Sequence, residues 1–161
     1  MLIRPATVAD AVACTKVMVR AMSTSPDYGK PKVADIYEQS LSRITGYLDG
    51  SFYPGFALDD RQAFVSEHSG EVIGFAAGQR TLRFGCDGEL QWVFALPEWE
   101  RRGIEESLFS SMRQWFVEHG MKKVCVRSGA DSSTRPFYLK QGAAAMNEHW
   151  VVWEDVGIRK P

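Results

Sequence analysis

The stretch from Glu89 to Gly120, ELQWVFALPEWERRGIEESLFSSMRQWFVEHG, changes its hydrophobic period within a few residues, and that change restricts the folds open to the chain. Leu90, Trp92, Phe94 and Leu96 recur at every second position, as in a strand. Ile104, Leu108, Met112, Trp115 and Phe116 then recur at every third or fourth, as in a helix. Pro97 ends the strand, and Gly103 stands where helical backbone begins. Such a junction offers unpaired backbone N–H groups and the positive end of a helix dipole to something negative, which is the architecture of an anion cradle.

The rest of the chain permits that reading. With 161 residues, one domain spanning 1–161 is expected, burying roughly 70% of its unfolded surface. Lys and Arg number 19 against 20 Asp and Glu, so a net charge of −1 supplies no basic field for nucleic acid and no polybasic membrane patch. A small partner is expected. Cys14, Cys86 and Cys125 form no CxxC pair and no even framework, which suits a reduced, cytoplasmic protein. MLIRPATVADA lacks a basic leader followed by an apolar run, and no stretch approaches the ~18 apolar residues of a membrane span.

In chain order, residues 1–5 read as a strand, and Thr7 caps a helix to about Met22, with Asp10 where a capping box places an acid. A second helix carries Val33, Ile36, Tyr37, Leu41, Ile44, Tyr47 and Leu48 on one face and closes at Gly50. Asp49 to Arg61 reads as a loop. QAFVSEH and EVIGFAAGQRT, joined by Ser69-Gly70, predict a hairpin, and strand 89–96 extends it into a meander. A helix from about Arg101 to His119, a strand over 122–127, a short helix over TRPFYLKQ and two strand segments in AAMNEHWVVWEDV complete the order β, α, α, β, β, β, α, β, α, β, β.

IRPATVADA, EVIGFAAG, FALPEWERRGIEESL and RPFYLKQGA, in that order and spacing, resemble the acetyl-CoA-dependent N-acetyltransferase superfamily known as GNAT over nearly the whole chain. The resemblance implies a single-domain α/β fold with a mixed, mostly antiparallel sheet of about seven strands flanked by about four helices. It implies acetyl-CoA as co-substrate, no metal, and direct attack of a primary amine of a small molecule or peptide on the thioester. Members of the family often pair, so a homodimer is an open expectation.

The resemblance also implies roles. Its diphosphate-binding turn falls on Glu100 to Glu105, where only Gly103 matches the family pattern and Glu100 and Glu105 depart from it. Between Glu98 and Glu106 four Glu stand against two Arg. Arg101, Arg102, Gly103, Glu105 and Glu106 are the expected diphosphate contacts, mainly through backbone amides, and the backbone of Val93 and Ala95 would meet the pantetheine arm. Glu105 and Glu106 also suit a helix's first turn for its own sake, where a carboxylate gains ~0.3–1 kcal/mol. Glu89 is the candidate base and Tyr138 the candidate acid for the departing thiolate. The plainer alternatives are a solvated acid at a strand start and an aromatic packing a helix on the sheet.

Strand parity places Glu89, Gln91, Val93 and Ala95 on one side in the absence of a bulge. Tyr28, Phe52 and Tyr53, in Gly- and Pro-containing loops, are the candidates for the acceptor pocket. Tyr37, Trp92, His149 and Trp150 are further aromatics that could line it. The three histidines lack ligand spacing, and neither GxSxG nor GxxxxGK[ST] occurs. The departures at Glu100 and Glu105 keep a second class of function in view, a non-catalytic relative that binds an acyl-CoA or a partner.

Overall fold

The computed structural model describes residues 1–29 and 31–159. Its elements are β1 (Leu2–Pro5), α1 (Ala11–Thr24), α2 (Val33–Asp49), β2 (Ala57–His68), β3 (Glu71–Thr81), β4 (Gly88–Ala95), α3 (Ile104–Glu118), β5 (Val124–Arg127), α4 (Arg135–Lys140), β6 (Ala144–Ala145) and β7 (Trp150–Trp153). The seven strands form one sheet in the order β1-β2-β3-β4-β5-β7-β6. Only β4 and β5 run parallel, as the helical crossover between them requires. Among the described residues no helix is long and apolar enough to cross a membrane.

The β2–β3 hairpin turns through Ser69 and Gly70, at φ 51° and 77°, the paired positive values of a turn whose twist matches its strands. β2 starts at Ala57, inside the stretch that composition marks as loop. Its first residues pair across a register shift between Ala57 and Arg61, an irregularity that period-2 alternation cannot reveal. At the amino end, Arg4 binds both carboxylate oxygens of Asp10 at 2.9 and 2.8 Å, and Asp10 also accepts the Thr7 N–H at 2.8 Å.

α3 lies against the sheet face where Gly74, Gly78 and Gly88 leave room. A Cβ at Gly78 would stand 2.6 Å from the end of Met112 and 2.7 Å from Phe116. α2 covers the opposite face, where Tyr47 packs on Trp92 with ring centres 5.2 Å apart and α1 lies beside it. Both faces of β4 are therefore buried, a condition in which apolar alternation stops distinguishing inside from outside.

Candidate active site

Two departures from regular structure on β4 create the site. The first is a bulge. Leu90 pairs with Gly78 and Trp92 with Ala77, so Gln91 is an extra residue on this strand. Side chains directly opposite each other share a face. Glu89, opposite Gln79, therefore lies with Trp92 and Phe94, opposite Ala77 and Phe75. Leu90, Val93 and Ala95 point to the α3 side. This corrects the parity expected from the sequence, which placed Glu89 beside Val93 and Ala95. The Gln91 carboxamide oxygen accepts from Gln79 Nε2 at 3.0 Å.

The second is a splay. β5 pairs with β4 only from Gly88 to Leu90, leaving one edge of the strand without a neighbour beyond that point. The Leu96 N–H donates to Ile73 O on β3 at 2.8 Å. Alternation along an antiparallel ladder then turns the N–H groups of Val93 and Ala95 to the open edge.

α3 begins at Ile104, not at Arg101 as the periodicity suggests. Pro97–Trp99 forms a 3-10 turn, and Arg101 and Gly103 both adopt left-handed backbone, at φ 62° and 79°. The Ser107 N–H is the first to bond back, to Gly103 O at 3.0 Å. Among the described residues the N–H groups from Arg101 to Glu106 donate to no backbone carbonyl, and only that of Glu105 meets its own carboxylate, which leaves the unpaired amides expected from the sequence. Glu105 turns into the cavity beside it. Burial, then Glu100 and Glu106, push its carboxyl above the usual range. The Arg102 guanidinium lies over Trp99 at 4.9 Å, whereas Arg101 faces the cavity.

A cavity of about 880 Å³ runs from this cradle past the open edge of β4 to Glu89. Tyr138 on α4 forms part of its wall and is 5% exposed. Burial, with Tyr28 and Glu105 nearby, holds its phenol well above the usual range, so it keeps its proton at neutral pH. α4 is anchored by Arg135, whose Nη2 donates to Ser128 O at 2.6 Å and to Asn147 O at 2.8 Å.

Glu89 is 6% exposed. Its Oε1 accepts from Arg83 Nε at 2.9 Å and from the Thr81 hydroxyl at 3.3 Å, while Oε2 accepts from no described residue. It is thus a buried, ion-paired carboxylate and not a solvated acid at a strand start.

Of the aromatics considered for the acceptor, Tyr28, Trp92 and Trp150 line the cavity. Tyr37 and His149 do not. Phe52 packs over Gly46, and the Tyr53 hydroxyl donates to Asp59 at 2.7 Å with Arg61 over its ring, so both stand outside the cavity wall and Pro54 and Gly55 of their loop take that place. Arg43 and Arg83 line the cavity without any signal in the sequence. Arg43 sits on the polar side of α2, and Arg83 lies in a turn rich in glycine. The thiols of Cys14, Cys86 and Cys125 are all free and buried, and burial pushes that of Cys14 up to about 12. Among the described residues no three His, Cys, Asp or Glu side chains gather as a metal site.

A model of the Acetyltransferase (GNAT) family matches residues 30–143. No curated protein sequence matches the chain. Among solved structures, PaiA N-acetyltransferase from Thermoplasma acidophilum, in complex with coenzyme A, is similar at 15% identity and a TM-score of 0.72, over 96% of this chain and 98% of that one. Aminoglycoside 6'-acetyltransferase type Ii is similar at 13% identity and a TM-score of 0.71, over 100% of both chains. A GNAT family acetyltransferase from Brucella melitensis, in complex with acetyl-CoA, is similar at 18% identity and a TM-score of 0.64, over 99% of this chain and 90% of that one. At these identities the structural likeness is one of fold. With the strand order, the splay beside β4 and a family match over more than half its length, this chain belongs to the GNAT acetyltransferase family.

Proposed function

We propose that the protein is an acetyl-CoA-dependent N-acetyltransferase, formed as a single domain over 1–161, that acetylates a primary amine of a small molecule or peptide by direct attack. The observation that carries this reading is the continuity of one cavity from the unpaired amides at the start of α3, along the open edge of β4, to Glu89 and Tyr138. Backbone amides from Arg101 to Glu106 would hold the diphosphate, with Arg101 adding charge. The N–H groups of Val93 and Ala95 would hold the pantetheine arm or polarise the thioester carbonyl.

In the reaction the amine lone pair adds to the carbonyl carbon, the C–S bond breaks and sulfur leaves as thiolate. The amine must first be neutral, and for a lysine-like amine this costs roughly 4–5 kcal/mol at pH 7. Glu89 would take the proton through water on Oε2, because Oε1 is engaged by Arg83 and Thr81. Tyr138 would give its proton to the thiolate. Tyr28, Trp92 and Trp150 would border the acceptor, with Phe52 and Tyr53 supporting the loop behind them.

Titrating the protein with acetyl-CoA by calorimetry at low salt, followed by a thiol-release assay across amines, tests this. Binding followed by amine-dependent thiol release is expected. Absence of binding to either coenzyme A or acetyl-CoA would overturn it. The Glu105 carboxylate beside the cradle favours a second reading, an acyl-CoA or partner-binding domain without catalysis. That reading requires binding with no thiol release for any amine, and no change on Tyr138→Phe.

A further inference from the structure

Arg83 is fixed from several directions at the end of the cavity that holds Glu89. Its Nε donates to Glu89 at 2.9 Å, and its guanidinium carbon lies 4.9 Å from the Phe56 ring centre and 4.6 Å from that of Trp150. Behind it stands Gly55, where any Cβ would collide with Nη2. Yet Nη1 and Nη2 donate to no described residue, and Arg83 lines the cavity. A guanidinium held this way has given up its rotamer freedom before a ligand arrives, so little is lost in ordering when its terminal nitrogens meet an anion. Two parallel N–H donors match a carboxylate.

A second cation lines the same cavity. α2 turns Ile36, Gln39, Ser40 and Arg43 toward the cavity, with Arg43 one turn before Tyr47. The Tyr47 hydroxyl donates to Gln79 Oε1 at 2.9 Å, and Gln79 lies opposite Glu89 in the sheet. Arg43 is exposed and makes no ion pair among the described residues. Arg127 at the end of β5 adds a third cation to the wall.

The acids of the cavity lie elsewhere. Glu100, Glu105 and Glu106 belong to the α3 end, and Asp27 accepts from Ser132 and Ser133 at 3.2 and 2.8 Å. Glu89 is already paired with Arg83. The acceptor end is therefore positive, which repels an acceptor with several ammonium groups.

We infer that the acceptor carries a carboxylate beside its reactive amine, read by the terminal nitrogens of Arg83 together with Arg43, and so belongs to the class of amino acids and not to the polycations. The reactive amine in this statement rests on the acetyl-transfer reading above, whereas the carboxylate contact does not.

The test uses the intact protein and two readouts. Binding of the standard amino acids, their carboxamides and spermidine is measured by calorimetry with and without coenzyme A, and thiol release is measured with acetyl-CoA for the same compounds. At least one amino acid should bind tenfold or more tightly than its carboxamide, with spermidine weaker than both. Arg43→Gln should reduce that preference severalfold by weakening the amino acid's affinity more than the carboxamide's. Equal affinity for carboxamides, tighter binding of spermidine, or binding of no amino acid overturns the inference. Thiol release with carboxamides or spermidine as fast as with amino acids also overturns it, while leaving acetyl transfer standing. Carboxylate-dependent binding without thiol release for any amine does the reverse.

Discussion

The Nε–H of Arg83 donates to Oε1 of Glu89 at 2.9 Å, and both side chains stand in the wall of the cavity that opens where β4 and β5 part. The ion pair engages one oxygen of the carboxylate, which also accepts from the Thr81 hydroxyl. The other oxygen remains available to a water, and the rest of the guanidinium remains available to a ligand. On the proposed reading, one pair would serve both proton transfer and acceptor placement.

Replacing Glu89 by Gln should lower kcat/KM about 10²–10⁴-fold at neutral pH, the range a positioned base contributes. The loss should shrink as pH rises and the free amine becomes abundant in solution. A pH–rate profile of the variant that parallels the wild type at every pH would show that Glu89 does not accept the proton.

Tyr138→Phe retains the ring, which packs against Trp153 with centres 5.8 Å apart, and deletes only the hydroxyl. We expect an unchanged melting temperature, an unchanged affinity for acetyl-CoA and a kcat about 10–100-fold lower. Full activity in this variant would remove the tyrosine from the chemistry.

The Glu105 carboxyl, already pushed up by burial and by Glu100 and Glu106, meets further negative charge when a diphosphate arrives. Its pKa must rise again on binding, so binding takes up a proton and affinity for coenzyme A should increase as pH falls into that raised range. Glu105→Gln should bind about tenfold more tightly at pH 8, about 1.4 kcal/mol, and show a flatter pH dependence. Calorimetry at several pH values on both proteins decides this, because the ligand's own titration is common to the two.

Gly78 is bounded by Met112 and Phe116 on one side and by Glu89 O, 3.1 Å from a Cβ position, on the other. Met112 ends in a flexible methyl, but the ring and the strand backbone cannot both withdraw. Gly78→Ala should destabilise the fold by about 1–3 kcal/mol through overpacking. A urea midpoint equal to wild type would contradict the close approach of α3 to the sheet.

Asp10 is held below the usual carboxylate range first by its hydrogen bonds to Arg4, with burial opposing and the Thr7 N–H adding to the effect. Its stabilisation is complete above the unfolded pKa of about 4 and disappears as pH falls through the depressed folded value. Asp10→Asn should therefore cost about 1.5–3 kcal/mol at pH 7, with the gap to wild type closing below about pH 4. Chemical denaturation at pH 7 and pH 3 measures both ends.

Element order, the β2–β3 turn and the approximate helices could be read from the chain because each rests on local chemistry. Ser69-Gly70 supplies the positive φ of a tight turn, and Val33 to Leu48 keep a helical stripe. The unpaired amides at the start of α3 were legible for the same reason, since every helix leaves its first N–H groups without partners wherever it is placed. The far wall of the cavity was not. Arg43 and Arg83 are 40 positions apart and carry no spacing signal, and that both line one cavity depends on how α2 is placed against the sheet.

The bulge at Gln91 marks the boundary between the two kinds of information. Leu90, Trp92 and Phe94 read as one apolar face, yet the extra residue sends Leu90 toward α3 and Trp92 and Phe94 toward α1 and α2. No composition rule exposes this, because both faces of β4 are buried and each accepts apolar side chains. The sequence by itself determined the strand, the turn, the helix and the family they belong to. Only the tertiary structure decided that Glu89 shares its face with Trp92, pairs with Arg83 and lines one cavity with Tyr138, because those relations depend on sheet register and on helices brought in from distant parts of the chain.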